Sequence, residues 1–168
     1  MQPFKIPVKT KRLRDNAILP DYKHVTDSGA DLYVANIKRK DSSTREYVNV
    51  CRNTYTLAPF ETILCQVGFA VEIPDGFEMQ IRPTSGNALF TPFMIANSPG
   101  TIDSCYRGEI GVIVKNVSLE YHTISVGDKI AQMVINPAHQ IKFEIVETLS
   151  DTDRGNKGFG STGVIGGK

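Results

Sequence analysis

The sequence predicts an all-β fold, a sandwich or barrel of many short strands, on three observations. Apolar residues recur mostly with a period of two. The runs are short and bounded by Gly and Pro turns. No window sustains a 3.6-residue apolar period for three turns. Ile63, Cys65, Val67, Phe69, Val71 and Ile73 fall on one face of an extended run, with Leu64, Gln66, Ala70 and Glu72 on the other. Pro74-Asp75-Gly76 reads as a hairpin turn into the next strand, where Phe77, Met79 and Ile81 alternate with Glu78, Gln80 and Arg82. The best helix candidate is one short piece around Ser85 to Phe90. Ile110, Val112 and Val114 alternate, and Ser125-Val126-Gly127-Asp128 is a turn before a strand from Lys129 to Ile135. Ile141, Phe143 and Ile145 alternate with Lys142 and Glu144 and read as a last half-buried strand.

The 168 residues fit one domain, 1–150, able to bury a core without disulfide or metal support, followed by a Gly-rich tail from 151 to 168. A net charge of +1 gives no reason to expect direct nucleic-acid or membrane binding. No apolar run reaches membrane-spanning length, and the N-terminus lacks an apolar signal core. Three cysteines without CxxC spacing are expected as reduced thiols in a cytoplasm-like compartment, and three scattered histidines give no zinc pattern. Residues 38–53 are polar and charged and read as a loop or protruding hairpin inserted between strands, either inert or a surface for a protein partner. The basics Lys5, Lys9, Lys11, Arg12 and Arg14 read as the solvated face of a first strand and its flank.

Five islands are too polar and Gly-rich to be simple turns: Ser28 to Leu32, Arg82 to Gly86, Gly100 to Gly108, Gly127 to Gln132, and the tail from Asp153. Singly, each has a plain explanation. Asp31 and Asp103 suit turn caps, Ser85-Gly86 an N-cap, Gln132 a cross-strand pair and Tyr106 the rim of a core. The tail cannot bury a core, yet it carries Arg154 and Lys157, the hydroxyls of Ser161 and Thr162, and Phe159, which suits base stacking.

In order and spacing the five islands resemble the five motifs of the trimeric dUTPase family, from Arg14-Asp15-Asn16-Ala17-Ile18-Leu19-Pro20 to Ser161-Thr162-Gly163. The resemblance implies a β jelly roll, or distorted barrel, with one short helix and a flexible C-terminal arm. It implies a homotrimer with shared sites, each closed by a neighbour's arm. The implied reaction is hydrolysis of dUTP to dUMP and pyrophosphate with Mg²⁺, in the cytoplasm, or the host's cytoplasm for a phage-encoded protein.

Carried over, Asp103 matches the aspartate that activates the attacking water. Tyr106 matches the aromatic under the deoxyribose, and Asp31 the carboxylate that holds Mg²⁺ through water. Thr84, Ser85, Gly86 and Gln132 match phosphate-binding positions. Arg154 matches the γ-phosphate arginine, Phe159 the base-stacking aromatic, and Gly160, Ser161 and Thr162 the rest of the closing segment. The chain departs from the pattern at Thr84, where the second motif commonly has Arg, and at Cys105, where the third commonly has an acid. Arg82 or Lys157 would have to replace the missing cation, and the alternation of side chains along a strand argues against Arg82. The same fold also hosts dCTP deaminases, for which Glu109 is the nearest candidate base.

Overall fold

A computed structural model describes residues 4–158. Among these the chain forms short antiparallel strands and one helix. An outer ribbon pairs β1 (Lys9–Arg12) with β7 (Phe69–Glu72). A four-stranded sheet has the order β10 (Gly100–Ile102), β8 (Phe77–Arg82), β13 (Lys129–Pro137) and β2 (Ala30–Tyr33). A five-stranded sheet runs β4 (Tyr47–Asn49), β3 (Asn36–Lys40), β6 (Thr62–Gln66), β11 (Gly111–Asn116) and β9 (Phe93–Ile95). A second ribbon pairs β12 (His122–Ser125) with β5 (Thr54–Leu57).

One core joins all four. Leu32, Ile81 and Met133 from the four-stranded sheet meet Ile37, Ile63, Val112 and Val114 from the five-stranded one, with Phe69, Leu57 and Ile124 from the ribbons. The alternation read from the sequence explains this for the central strands: the inward positions of β8, Met79 and Ile81, are apolar, and the outward positions of β8 and β13 are polar or half-buried. No helix of the described residues is long and apolar enough to cross a membrane.

Four sequence expectations need correction. The run from Ile63 to Ile73 is not one strand. It bends at Gly68, whose φ of +82° hands the chain from β6 to β7, and a Cβ there would lie 2.6 Å from the Ala17 methyl. The inward set stays buried on both sides of the bend, which is why the break is silent in the pattern. Second, Pro74-Asp75-Gly76 makes its turn, with the Phe77 N–H on the Pro74 carbonyl at 3.2 Å, but joins strands of different sheets rather than a hairpin.

Third, residues 38–53 are not wholly an insertion. Lys38 and Arg39 belong to β3 and pair with Leu64 and Ile63 of β6 on one side and with Asn49 and Val48 of β4 on the other, and the β3–β4 hairpin closes over residues 41–46. Fourth, residues 141–145 form no strand. Ile141, Phe143 and Ile145 are exposed, because no strand of the described residues lies beside them. The helix falls where expected, α1 (Ser85–Phe90), although its N-cap is Thr84, whose side chain accepts from the Asn87 N–H at 3.3 Å.

Candidate active site

The predicted residues gather in two clusters. In the first, strand register places Asp31 of β2 opposite Gln132 of β13, and Gln132 opposite Arg82 of β8. Directly opposed residues share a face, so these three form one polar row on the outer side of the four-stranded sheet. Gln132 donates through Nε2 to the Pro83 carbonyl at 2.9 Å, which ties the row to the helix start. Asn87 donates through Nδ2 to the Lys129 carbonyl at 2.9 Å and fixes α1 against β13. Gly29 leaves the room the Gln132 amide occupies: a Cβ there would run into Oε1 of Gln132 and lie 3.0 Å from its Cδ. Ser85 and Gly86 are exposed at the first positions of the helix.

Asp31 is the most informative member of this row. Its side chain is 13% exposed, and Lys129 Nζ stands 3.3 Å from Oδ2. Oδ2 is nevertheless buried without a hydrogen bond. A carboxylate oxygen with lone pairs to offer, beside an amide and a helix start, suits the water shell of a divalent cation. Among the described residues no group of three or more His, Cys, Asp or Glu side chains is placed to hold a metal directly.

The expectation that strand direction disfavours Arg82 is overturned, since Arg82 faces the same way as Gln132. Its guanidinium folds back along β8, donating to Gln80 Oε1 from Nε at 3.0 Å and from Nη2 at 2.7 Å.

The second cluster is the turn after β10. The Tyr106 N–H meets the Asp103 carbonyl at 3.1 Å and closes the turn, leaving both side chains exposed. Asp103, Tyr106, Thr101, Ile102 and Gly111 line a shallow concavity. On its other side Asp103 borders a second one with Glu78, Ser104, Cys105 and Gln140. Cys105 is a free, exposed thiol.

The Tyr106 hydroxyl donates to the Glu109 carbonyl at 3.0 Å. Glu109 is far from a free base. Its carboxylate accepts from Arg14 Nε at 2.7 Å and Nη2 at 3.0 Å, from Gln66 Nε2 at 2.7 Å and from the Gly68 N–H at 3.0 Å. The hydrogen bond to Glu109 raises the pKa of Arg14 further above its ordinary value. Arg14 is therefore not one of the solvated basics it was grouped with, whereas Lys9 is, in an exposed pair with Glu72 at 2.7 Å.

The two clusters do not meet within one chain. Gln132 pairs with Arg82, whereas Ile102, next to Asp103, pairs with Met79. Three residues along the strands and two strands across separate them by roughly 14 Å. In the tail, Arg154 donates from Nε to the Lys157 carbonyl at 3.1 Å, and its hydrogen bonds reach neither cluster. Phe159, Gly160, Ser161 and Thr162 lie outside the described residues.

Sequence reasoning overlooked Gly29, Gly108 and the Arg14–Gln66–Glu109 group as parts of the site. The glycines stood inside the motifs, but their neighbours in space were not legible. Arg14 and Glu109 are 95 residues apart, with no local signal to join them.

Fold and clusters together define a β jelly roll whose polar cradle is split between two ends of one sheet. The dUTPase family model matches residues 15–163, so the chain belongs to the dUTPase family. It is 44% identical over 153 residues to the deoxyuridine 5'-triphosphate nucleotidohydrolase of Picosynechococcus sp., covering 91% of this chain and 96% of that one. The protein of the same description from Hydrogenobaculum sp. is 44% identical over 156 residues, covering 92% and 96%. Among solved structures, a dUTPase of Staphylococcus bacteriophage 80alpha with dUpNHpp superposes with a TM-score of 0.76 at 28% identity, covering 95% of this chain and all of that one.

Proposed function

We propose that the protein hydrolyses dUTP to dUMP and pyrophosphate. The observation that carries this reading is the Asp103–Tyr106 turn, which presents a carboxylate and an aromatic ring side by side in one concavity, in a chain of the dUTPase family. Asp103 takes a proton from a water as its oxygen attacks the α-phosphorus in line. The new P–O bond forms as the bond to the bridging oxygen breaks, and pyrophosphate leaves with that electron pair. Tyr106 is the floor under the deoxyribose, where a 2′-hydroxyl would clash.

Gln132, Thr84, Ser85 and Gly86 hold the phosphates, with backbone N–H groups at the helix start offered to them. Asp31 would hold Mg²⁺ through water, and the metal when bound would neutralise phosphate charge. Its buried, unbonded Oδ2 supports that assignment. Arg154, Phe159, Gly160, Ser161 and Thr162 form the segment that closes over the nucleotide.

The working unit in this reading is a homotrimer. The separation of the two clusters supports it, because a row on one copy and a turn on its neighbour can then face each other across one nucleotide. The exposed Ile141, Phe143 and Ile145 support it too, as apolar residues that a second copy would cover. Residues 1–150 form the β domain and 151–168 the closing arm. A cytoplasmic setting fits the substrate.

The engagement of Glu109 by Arg14, Gln66 and Gly68 favours the hydrolase over a dCTP deaminase, which would need that carboxylate free. A second reading, a regulatory protein acting through the β3–β4 hairpin, is favoured by the projection of that hairpin from the sheet edge. Pyrophosphate release measured with dUTP, UTP, dCTP and dTTP in Mg²⁺ tests the main reading. Release from dUTP alone is expected; a folded protein that releases none from any of them moves the regulatory reading to the front.

A further inference from the structure

The Tyr106 ring does not hold its place by itself. It is 44% exposed, and among the described residues its side chain makes one hydrogen bond, to the Glu109 carbonyl. Its edge lies where a Cβ on Gly108 would stand: the three nearest atoms such a Cβ would meet all belong to Tyr106, with Cζ at 2.5 Å. Gly108 has no unusual φ, so what it supplies is space. The Glu109 carbonyl is held because its side chain is held. That carboxylate is 14% exposed and takes hydrogen bonds from two atoms of Arg14, from Gln66 and from the Gly68 N–H. Arg14 also reaches Gln66 Oε1 at 3.1 Å, and Asn36 caps the same oxygen at 2.9 Å. Arg14 is further anchored by its N–H on the Gly68 carbonyl at 3.2 Å. The group therefore bolts the chain just after the Asp103–Tyr106 turn to the bend between β6 and β7.

We propose that the Arg14–Gln66–Glu109 clamp, together with Gly108, is the positioning unit that sets the Tyr106 ring and so the preference for deoxyribose over ribose. The inference rests on the reading of Tyr106 as the floor under the sugar. A steric gauge discriminates only as sharply as its wall is stiff, and a ring free to retreat by an ångström admits a hydroxyl. The clamp residues touch no substrate in this account; they act through the Glu109 carbonyl.

The test is the ratio of kcat/KM for dUTP over UTP in three variants. Glu109→Gln keeps the shape but puts an amide nitrogen against donors whichever way it turns. Gly108→Ala pushes on the ring alone. The pair Gln66→Glu with Glu109→Gln moves the carboxylate one residue across and restores all but one of the bonds. The ratio is expected to fall about tenfold or more in Glu109→Gln and Gly108→Ala, through faster UTP turnover, and to recover in the pair.

A thermal shift with an unchanged ratio in both single variants would mean the clamp only stabilises the fold, and overturns the inference. If Glu109→Gln does not fold, Arg14→Lys, which keeps the charge but loses the two-atom grip on Glu109, decides in its place. A wild type that hydrolyses both nucleotides equally overturns the reading of Tyr106 and the clamp's role with it. A wild type that discriminates, with variants that do so equally well, overturns the clamp alone.

Discussion

At the scale of single residues, two kinds of position matter: those that offer chemistry and those that make room for it. Asp103 is the first kind. Asp103→Asn keeps the size but exchanges one acceptor oxygen for a donor amide and cannot take the proton, so kcat should fall about a thousandfold while nucleotide still binds. Single-turnover kinetics beside a binding titration separates the two, and unimpaired turnover would remove Asp103 as the base. Gly29 is the second kind. Gly29→Ala would drive the Gln132 side chain off the Pro83 carbonyl, because the new methyl would occupy the place of its amide. A rise in KM for dUTP with little change in melting temperature is expected, and an unchanged KM would show that Gln132 does not need that seat.

At the scale of elements, the bend at Gly68 and the β3–β4 hairpin show how local conformation directs the sheets. Gly68→Ala would force a left-handed residue to carry a Cβ against Ala17 and Ala35. Backbone strain and overpacking together should cost about 2–4 kcal/mol, read from denaturant unfolding. A loss below about 1 kcal/mol would mean the bend relaxes easily.

The hairpin has its own lock. The Ser43 hydroxyl donates to Asp41 Oδ1 and, with the N–H groups of Ser43 and Thr44 on the same oxygen at 2.8 and 3.0 Å, lowers the Asp41 pKa from 3.8 to about 2. A carboxyl with a depressed folded value contributes stability above its unfolded pKa and loses it as pH falls through the folded one. The tip should therefore hold at neutral pH and loosen between about pH 4 and pH 2, seen as a fall in amide protection factors at Ser43 and Thr44, taken relative to the intrinsic exchange rate at each pH. Unchanged protection factors across that window would show that the cap is not what orders the tip. Replacing residues 41–46 by Asn-Gly should leave dUTP turnover unchanged if the hairpin stands apart from the site.

At the scale of the whole molecule, the split between the Asp31–Gln132 row and the Asp103–Tyr106 turn becomes the central fact. If each site takes one cluster from one copy and the other from its neighbour, subunits inactive for different reasons should complement. Mixing Asp103→Asn with Gln132→Ala chains by denaturation and refolding should recover part of the wild-type activity, whereas each alone stays low. Failure to recover any, with mixed oligomers present by mass, would place both clusters' function within one chain.

The alternation along β8, β11 and β13, the absence of long amphipathic windows and the Gly/Pro punctuation determined the all-β class from the sequence alone, because inward and outward positions differ in polarity residue by residue. The same reading located α1, since Thr84, Ser85 and Gly86 end one periodicity and begin another. The motif residues Asp31, Asp103, Tyr106 and Gln132 stood out through the resemblance of their islands to the family's motifs, since singly each has a plain explanation. Only the tertiary structure decided that Ile63 to Ile73 divides between two sheets, since a bend that keeps every inward side chain buried leaves no mark on the pattern. It alone put Arg82 in line with Gln132 and Asp31, and tied Arg14 to Glu109. Those relations depend on strand register and on contacts between residues far apart in the chain, and neither is written in any window of the sequence.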